Sequence, residues 1–144
     1  MVSRRTIVIG VLHDIHNLGV IVLKHALEKG GFKVVNAGAM LSQEEFIGAA
    51  IETNASAILV SSSYGMASID CQGFRDKCVE AGLEDIVLYI GGNLAGSRQS
   101  RPGGMEDIEA TFKSAGFNRV YNQSVLPSQV VEDLKNDLGI KGAA

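Results

Sequence analysis

The stretch Thr6-Ile7-Val8-Ile9-Gly10-Val11-Leu12-His13-Asp14-Ile15-His16-Asn17-Leu18-Gly19 changes character at its midpoint. Its first half is apolar, rich in β-branched side chains, and free of charge. A strand with one face in water alternates apolar and polar residues. An unbroken apolar run instead marks a strand covered on both faces, as in a parallel sheet. The run stops where His13, Asp14 and His16 begin. Val20–Lys29 then spaces Val20, Leu23 and Leu27 along one face of a helix. The reading is strand, polar loop, helix, with the loop at the strand's carboxyl end. Open α/β sheets bind their ligands at that edge.

The rest of the chain repeats this unit. Lys33–Ala37, Ala57–Ser61, Ile86–Ile90 and Arg119–Tyr121 read as further strands. Ser42-Gln43-Glu44-Glu45 has the spacing of a capping box, and the helix it opens is expected to bury Phe46, Ile47, Ala50 and Ile51. A third helix carries Cys71, Phe74, Cys78 and Ala81 on its inner face and stops at Gly82. A fourth is lined by Met105, Ile108, Phe112 and Ala115 and stops at Gly116. Pro127 opens a fifth, which buries Val130, Val131, Leu134 and Leu138, and Lys141–Ala144 is expected to fray. Successive βα units with right-handed crossovers predict a flavodoxin-like three-layer α/β sandwich, with a five-stranded parallel sheet in the order 2-1-3-4-5. No linker or repeat divides residues 1–144, which read as one domain. The order puts the switch point between strands one and three. The crevice is then lined by the loops 13–19 and 61–65, with 91–96 following the neighbouring strand four.

Composition narrows the function classes. A net charge of -3 and the absence of a basic stripe argue against a nucleic-acid binder. No apolar run approaches the roughly 20 residues that span a bilayer. Met1–Arg5 leads straight into a strand, so no signal peptide is expected, and two cysteines make neither a disulfide framework nor a zinc site. A cytoplasmic, reduced protein is expected. Cys71 and Cys78 lie two helical turns apart and read as core packing.

His16 can hold a metal while the Asp14 carboxylate fixes its other ring nitrogen. A structural zinc wants four ligands, and only His13, Asp14 and His16 are local, since His25 falls on the first helix. One imidazole suits an axial position in a haem or a corrinoid; the plainer alternative is a loop histidine satisfied by its neighbour. Ser61, Ser62 and Ser63 offer hydroxyls to a phosphate, a base or an amide. Gly91-Gly92-Asn93-Leu94-Ala95-Gly96 does not match G-x-G-x-x-G, and no Gly-Lys-Ser/Thr follows it. Its glycines would let a bulky ligand lie against bare backbone. Neither loop holds a nucleophile with a base beside it, so no catalytic residue is expected on this chain.

The set Asp14-x-His16-x-x-Gly19, Ser61-Ser62 and Gly91-Gly92 resembles the cobalamin-binding domain of corrinoid enzymes. Longer runs are similar to the small (sigma) subunits of the glutamate mutase, or methylaspartate mutase, family: "FIGAAIETNASAILVSS" at Phe46–Ser62, "IDCQGFRDKCVEAG" at Ile69–Gly82 and "LYIGGN" at Leu88–Asn93. The resemblance implies that His16 replaces the cofactor's own dimethylbenzimidazole as axial ligand to cobalt, that Asp14 hydrogen-bonds the imidazole, and that the displaced nucleotide tail enters a slot between the Ser61 and Gly91 loops. The implied cofactor contacts are His13, Asp14, Ile15, His16, Asn17, Gly19, Ser61, Ser62, Ser63, Gly91, Gly92, Asn93, Leu94, Ala95 and Gly96. It implies adenosylcobalamin as cofactor and a larger barrel-type subunit that binds glutamate, the two forming a heterotetramer. It further implies an isomerase converting L-glutamate to threo-3-methylaspartate, with this chain inactive alone.

Three places depart from the family pattern. His13 stands where Ser is usual, Ser63 stands where Leu is usual, and Asn122–Ser128 differs. The alternative is a corrinoid carrier for methyl transfer. Such carriers usually place a helical domain before the sheet, and strand one already begins at Thr6. A receiver-type regulator wants an acidic cluster at the ends of strands one and three, where this chain has Asp14 alone and Ser61.

Overall fold

Strands β1 (Thr6–Val11), β2 (Lys33–Asn36), β3 (Ala57–Ser61), β4 (Val87–Gly91) and β5 (Arg119–Val120) pair in parallel in the order β2-β1-β3-β4-β5. The computed structural model describes residues 5–12, 18–62, 71–92, 104–121 and 125–140. The helices among them are α1 (Leu18–Lys29), α2 (Gln43–Thr53), α3 (Phe74–Glu80), α4 (Gly104–Ser114) and α5 (Pro127–Asp137). The expected sheet order and flavodoxin-like layering are therefore present. No helix among the described residues is long and apolar enough to cross a membrane.

The period of two in each strand sorts side chains onto two cores. Val8, Ile58, Val60, Leu88 and Ile90 face α2, α3 and α4, where Phe46, Phe74, Phe112 and Phe117 join them. Phe74 stands edge-on to Phe117 at 5.5 Å between ring centroids. Ile7, Ile9, Val11, Leu59 and Tyr89 face α1 and α5 and meet Val20, Leu27, Val130 and Leu134. Leu23, Val131 and Leu138 are half-buried against the same core, and Ala115 against the other. The central strands are thus wrapped on both sides, the arrangement their unbroken apolar runs require.

Local signals set the helix ends. Ser42 Oγ accepts from Glu45 N at 3.1 Å while Glu45 Oε1 accepts from Ser42 N at 3.1 Å, completing the capping box at α2. Four expectations are corrected. Ile51 is 52% exposed, because at about 100° per residue it falls off the stripe formed by Phe46, Ile47 and Ala50; Gln43 takes the buried place instead. Ala81 is exposed, because α3 ends at Glu80 and the chain turns away through Gly82 at φ 82°. Cys71 is fully buried but sits in the turn before α3, not on the helix. Gly19 does not close a loop; it is the second residue of α1. The Met105 side chain and Lys141–Ala144 lie outside the described residues.

The amino edge of the sheet is locked by one side chain. Arg75 of α3 donates from Nη1 to Ile86 O at 2.7 Å and Glu84 O at 3.3 Å, from Nε and Nη2 to Gly116 O at 3.2 and 3.0 Å, and from Nη2 to Asn118 Oδ1 at 2.9 Å. Asn118 Oδ1 also accepts from Leu88 N at 2.8 Å. The guanidinium therefore ties together the chain entering β4 and the chain entering β5. Residue 116 must be glycine here: its φ is 101°, and an added Cβ would stand 2.0 Å from Arg75 Cβ. Gly116→Ala should cost at least about 1–2 kcal/mol from the left-handed backbone alone, before the collision is counted. Urea unfolding should show a lower midpoint at unchanged slope; an unmoved midpoint would contradict this account.

Candidate functional site

The pairing register brings three strand ends level. Val11 is opposite Ser61 and Ser61 is opposite Gly91. Past these pairs the backbones stay joined, with Leu12 N donating to Ser61 O at 3.0 Å and Ser62 N donating to Gly91 O at 3.0 Å. The chain therefore leaves β1, β3 and β4 side by side at the carboxyl edge. The three segments singled out from sequence depart from one line.

Alternation decides which face the line presents. Ile9, Leu59 and Tyr89 point to the α1/α5 side, so Val11, Ser61 and Gly91, two residues on, share that side. Tyr121 extends the row at β5: its N donates to Ile90 O at 2.8 Å, and its Cβ lies 3.4 Å from where a Gly91 Cβ would be. The row reads Val11, Ser61, Gly91, Tyr121. Its two middle members carry a hydroxymethyl group and nothing. Among the described residues only Tyr121 comes within 4 Å of the Gly91 Cβ position. The Cβ position of Gly19, in the first turn of α1, meets no described atom within 4 Å. Among the described residues, the sheet face thus has a low place at its carboxyl edge, on the side that α1 and α5 cover.

The paired glycines differ in what they permit. A Cβ on Gly92 would stand 2.2 Å from Ser62 O, and its φ is 114°. Gly92 is therefore explained by the close approach of two backbones, whereas a Cβ on Gly91 would meet only Tyr121 among the described residues, at ordinary contact distance. Ser62 is buried, with 1% exposure. His13, Asp14, Ile15, His16, Asn17, Ser63, Asn93, Leu94, Ala95 and Gly96 lie outside the described residues. No cluster of three metal-binding side chains occurs among the described residues. Both cysteines are buried, and burial pushes the Cys78 thiol up, away from the reactive thiolate.

The sequence reading missed a polar network beside the row. Tyr89 Oη donates to Asp137 Oδ2 at 2.5 Å, and Arg119 grips Asp137 through Nε at 2.7 Å and Nη2 at 3.0 Å. Tyr121 Oη donates to Asp133 Oδ2 at 2.7 Å, and Gln129 Nε2 donates to Asp133 Oδ1 at 2.9 Å. The rings of Tyr89 and Tyr121 meet edge-on at 5.6 Å. Asp133 and Asp137 are four apart on α5 and so share one face, which was a visible signal. Their partners on β4 and β5 become visible only with the register, which pairs Tyr89 with Arg119.

Burial first, and then the hydrogen bond to Asp137, pushes the Tyr89 phenol well above its ordinary value. Burial and then Asp133 do the same to Tyr121. The hydrogen bonds from Arg119 hold Asp137 below the usual carboxylate range, against an opposing effect of burial. Raised phenols contribute stability that is complete below about pH 10 and lost above it, as the unfolded tyrosines ionise first. The lowered carboxyl contributes stability that is complete above about pH 4 and lost as pH falls through its folded value. Urea midpoints should therefore fall off at both ends. Tyr89→Phe should flatten the alkaline fall and Asp137→Asn the acid one; unchanged profiles would contradict these assignments.

Three comparisons bear on this edge. Residues 4–112 match the family model described as B12 binding domain. The glutamate mutase sigma subunit of Clostridium tetani (strain Massachusetts / E88) is 50% identical over 140 residues, covering 96% of this chain and 99% of that protein. Among solved structures, a cobalamin-binding protein from Desulfitobacterium hafniense DCB-2 superposes with a TM-score of 0.75 at 19% identity, over 94% of this chain and 60% of the other. A response regulator from Thermotoga maritima superposes at 0.69 with 14% identity, over 95% and 99%. The structural likenesses establish the fold alone, which is shared by proteins of different function.

Proposed function

The chain belongs to the glutamate mutase sigma subunit family, with its B12 binding domain, and on that premise we propose that it is the cobalamin-binding subunit of a carbon-skeleton mutase. The observation that carries the reading is the row Val11, Ser61, Gly91, Tyr121, where a low place in the sheet face lies level with the departure of the three candidate loops. A nucleotide tail lying against the sheet needs such a place. Among the described residues, the small side chain of Ser61 and the absent Cβ of Gly91 suit such a tail. Ser61 and Gly91 would border the tail, Ser63 would continue that wall, and 93–96 would follow the corrin edge.

His16 would serve as the lower ligand to cobalt in place of dimethylbenzimidazole, and Asp14 would hold the other imidazole N–H. A carboxylate in that position fixes the ring's orientation and raises its basicity, and its loss typically costs about 10- to 100-fold in affinity or activity. His13, Ile15, Asn17 and Gly19 would complete the loop around that ligand. When bound, adenosylcobalamin supplies a homolysable cobalt–carbon bond that starts a radical rearrangement, here of L-glutamate to threo-3-methylaspartate. The chain's own part is to bind, orient and shield. The methyl-transfer carrier reading is not favoured, because the similarity to mutase sigma subunits runs over almost the whole chain.

A larger barrel-type subunit would bind the substrate and cover the upper corrin face, keeping water from the reacting centre. This chain offers few anchors for a dicarboxylate: Arg98 and Arg101 are the only basic residues near the candidate loops in sequence. The isolated chain with adenosylcobalamin should therefore give no methylaspartate from glutamate, assayed by product; turnover without a partner would overturn that division of labour. The ligand assignment is tested by the paramagnetic cobalt(II) spectrum. Wild type should show an imidazole nitrogen in place of dimethylbenzimidazole, His16→Ala should lose it, and Asp14→Asn should keep it while binding more weakly. A spectrum unchanged by His16→Ala would reject the assignment.

A further inference from the structure

We propose that Tyr121 and Asp133 form a positioning pair that keeps the low place over Gly91 open, and so set this chain's preference for a corrinoid that carries a nucleotide tail. The inference rests on the function proposed above. Tyr121 is the aromatic member of the row and the neighbour of Gly91, with its Cβ 3.4 Å from the absent Cβ. Its ring is directed toward α5. It meets Tyr89 edge-on at 5.6 Å, and its hydroxyl donates to Asp133 at 2.7 Å.

A tyrosine side chain has three staggered choices at χ1, and the bond to Asp133 selects the one aimed at the helix. The carboxylate is itself held, by Gln129 Nε2 at 2.9 Å and by Arg119 Nη1 at 3.9 Å, and its side chain is only 13% exposed. Released from Asp133, the phenol has a glycine beside it, with no Cβ to keep the ring from settling over Gly91. The space a tail needs would then be filled by the protein's own side chain. Tyr89 and Asp137 make the same kind of bond one turn further along α5, but Tyr89 stands one pleat deeper in the sheet, away from the row. Only the outer pair therefore bears on the gap.

The test uses the full chain and two ligands, cobalamin and cobinamide, which is the same corrinoid without the nucleotide tail. Each is titrated to millimolar concentration by absorbance, and the ratio of the two dissociation constants is the tail preference. Wild type should prefer cobalamin. Tyr121→Phe and Asp133→Ala should each reduce the preference on the order of tenfold, the scale of one hydrogen bond to a charged group. Cobinamide affinity should stay within about twofold, the scatter between uncoupled sites. The double variant should lose no more than either single one, because the two residues act as one unit. Tyr89→Phe should lower the urea midpoint yet leave the preference unchanged.

Equal weakening of both ligands, additive losses, or the same loss in Tyr89→Phe would overturn the proposal and reduce the pair to a structural contact. If wild type shows no tail preference or binds neither corrinoid, the function proposed above fails first. That outcome is seen before any substitution is made and is thus distinct from failure of the pair.

Discussion

The structure depends on the register that sets Val11, Ser61 and Gly91 side by side. Parallel strands joined by crossover helices cannot slide independently. A one-residue slip of β3 would turn Ala57 and Leu59 toward the wrong core and expose the helix faces that cover them. Burial on both faces therefore fixes the register, and the register fixes where three loops begin. The candidate site inherits its geometry from the packing of Ile58, Leu59, Leu88 and Tyr89, none of which needs to touch a ligand.

The two faces of the sheet are not equivalent. The α2/α3/α4 side is filled by phenylalanines that meet in tilted and edge-to-face pairs. The α1/α5 side holds two tyrosines whose hydroxyls reach carboxylates on α5. Phenylalanine fills volume without orientation demands, while a buried tyrosine must be aimed at a partner. One face therefore supplies bulk stability. The other supplies directed contacts, and among the described residues it is the one with a gap at its carboxyl edge.

Much of this was legible in the sequence, because strand burial and helix stops are local signals. The run Thr6–Leu12 gave away a covered strand, the Ser42 box a helix start, and Gly82 and Gly116 the helix ends. The misreadings arose where periodicity was extended by a residue or two. Ile51 continues an apolar pattern whose buried place Gln43 holds, and Cys71 and Ala81 continue the pattern of a helix that starts later and stops earlier. For the site, the polar loops could be located from strand ends alone. The Tyr121–Asp133 contact could not, because it joins a two-residue strand to a helix through a register that no local pattern encodes. The difference between Gly91 and Gly92 was hidden for the same reason: both are glycine, and only the neighbouring Ser62 backbone separates their roles.

Arg75 lies at the opposite edge from all of this. It binds the entries to β4 and β5 with charge-assisted bonds to backbone carbonyls, so the requirement it imposes falls on chain geometry and hardly at all on side-chain identity, Gly116 and Asn118 excepted. A fold anchored in this way can tolerate drift at its other end. Replacements at the carboxyl edge can accumulate and be tried by selection without reopening the question of whether the chain folds. The distance between anchor and cleft gives a lineage room to explore new cargo.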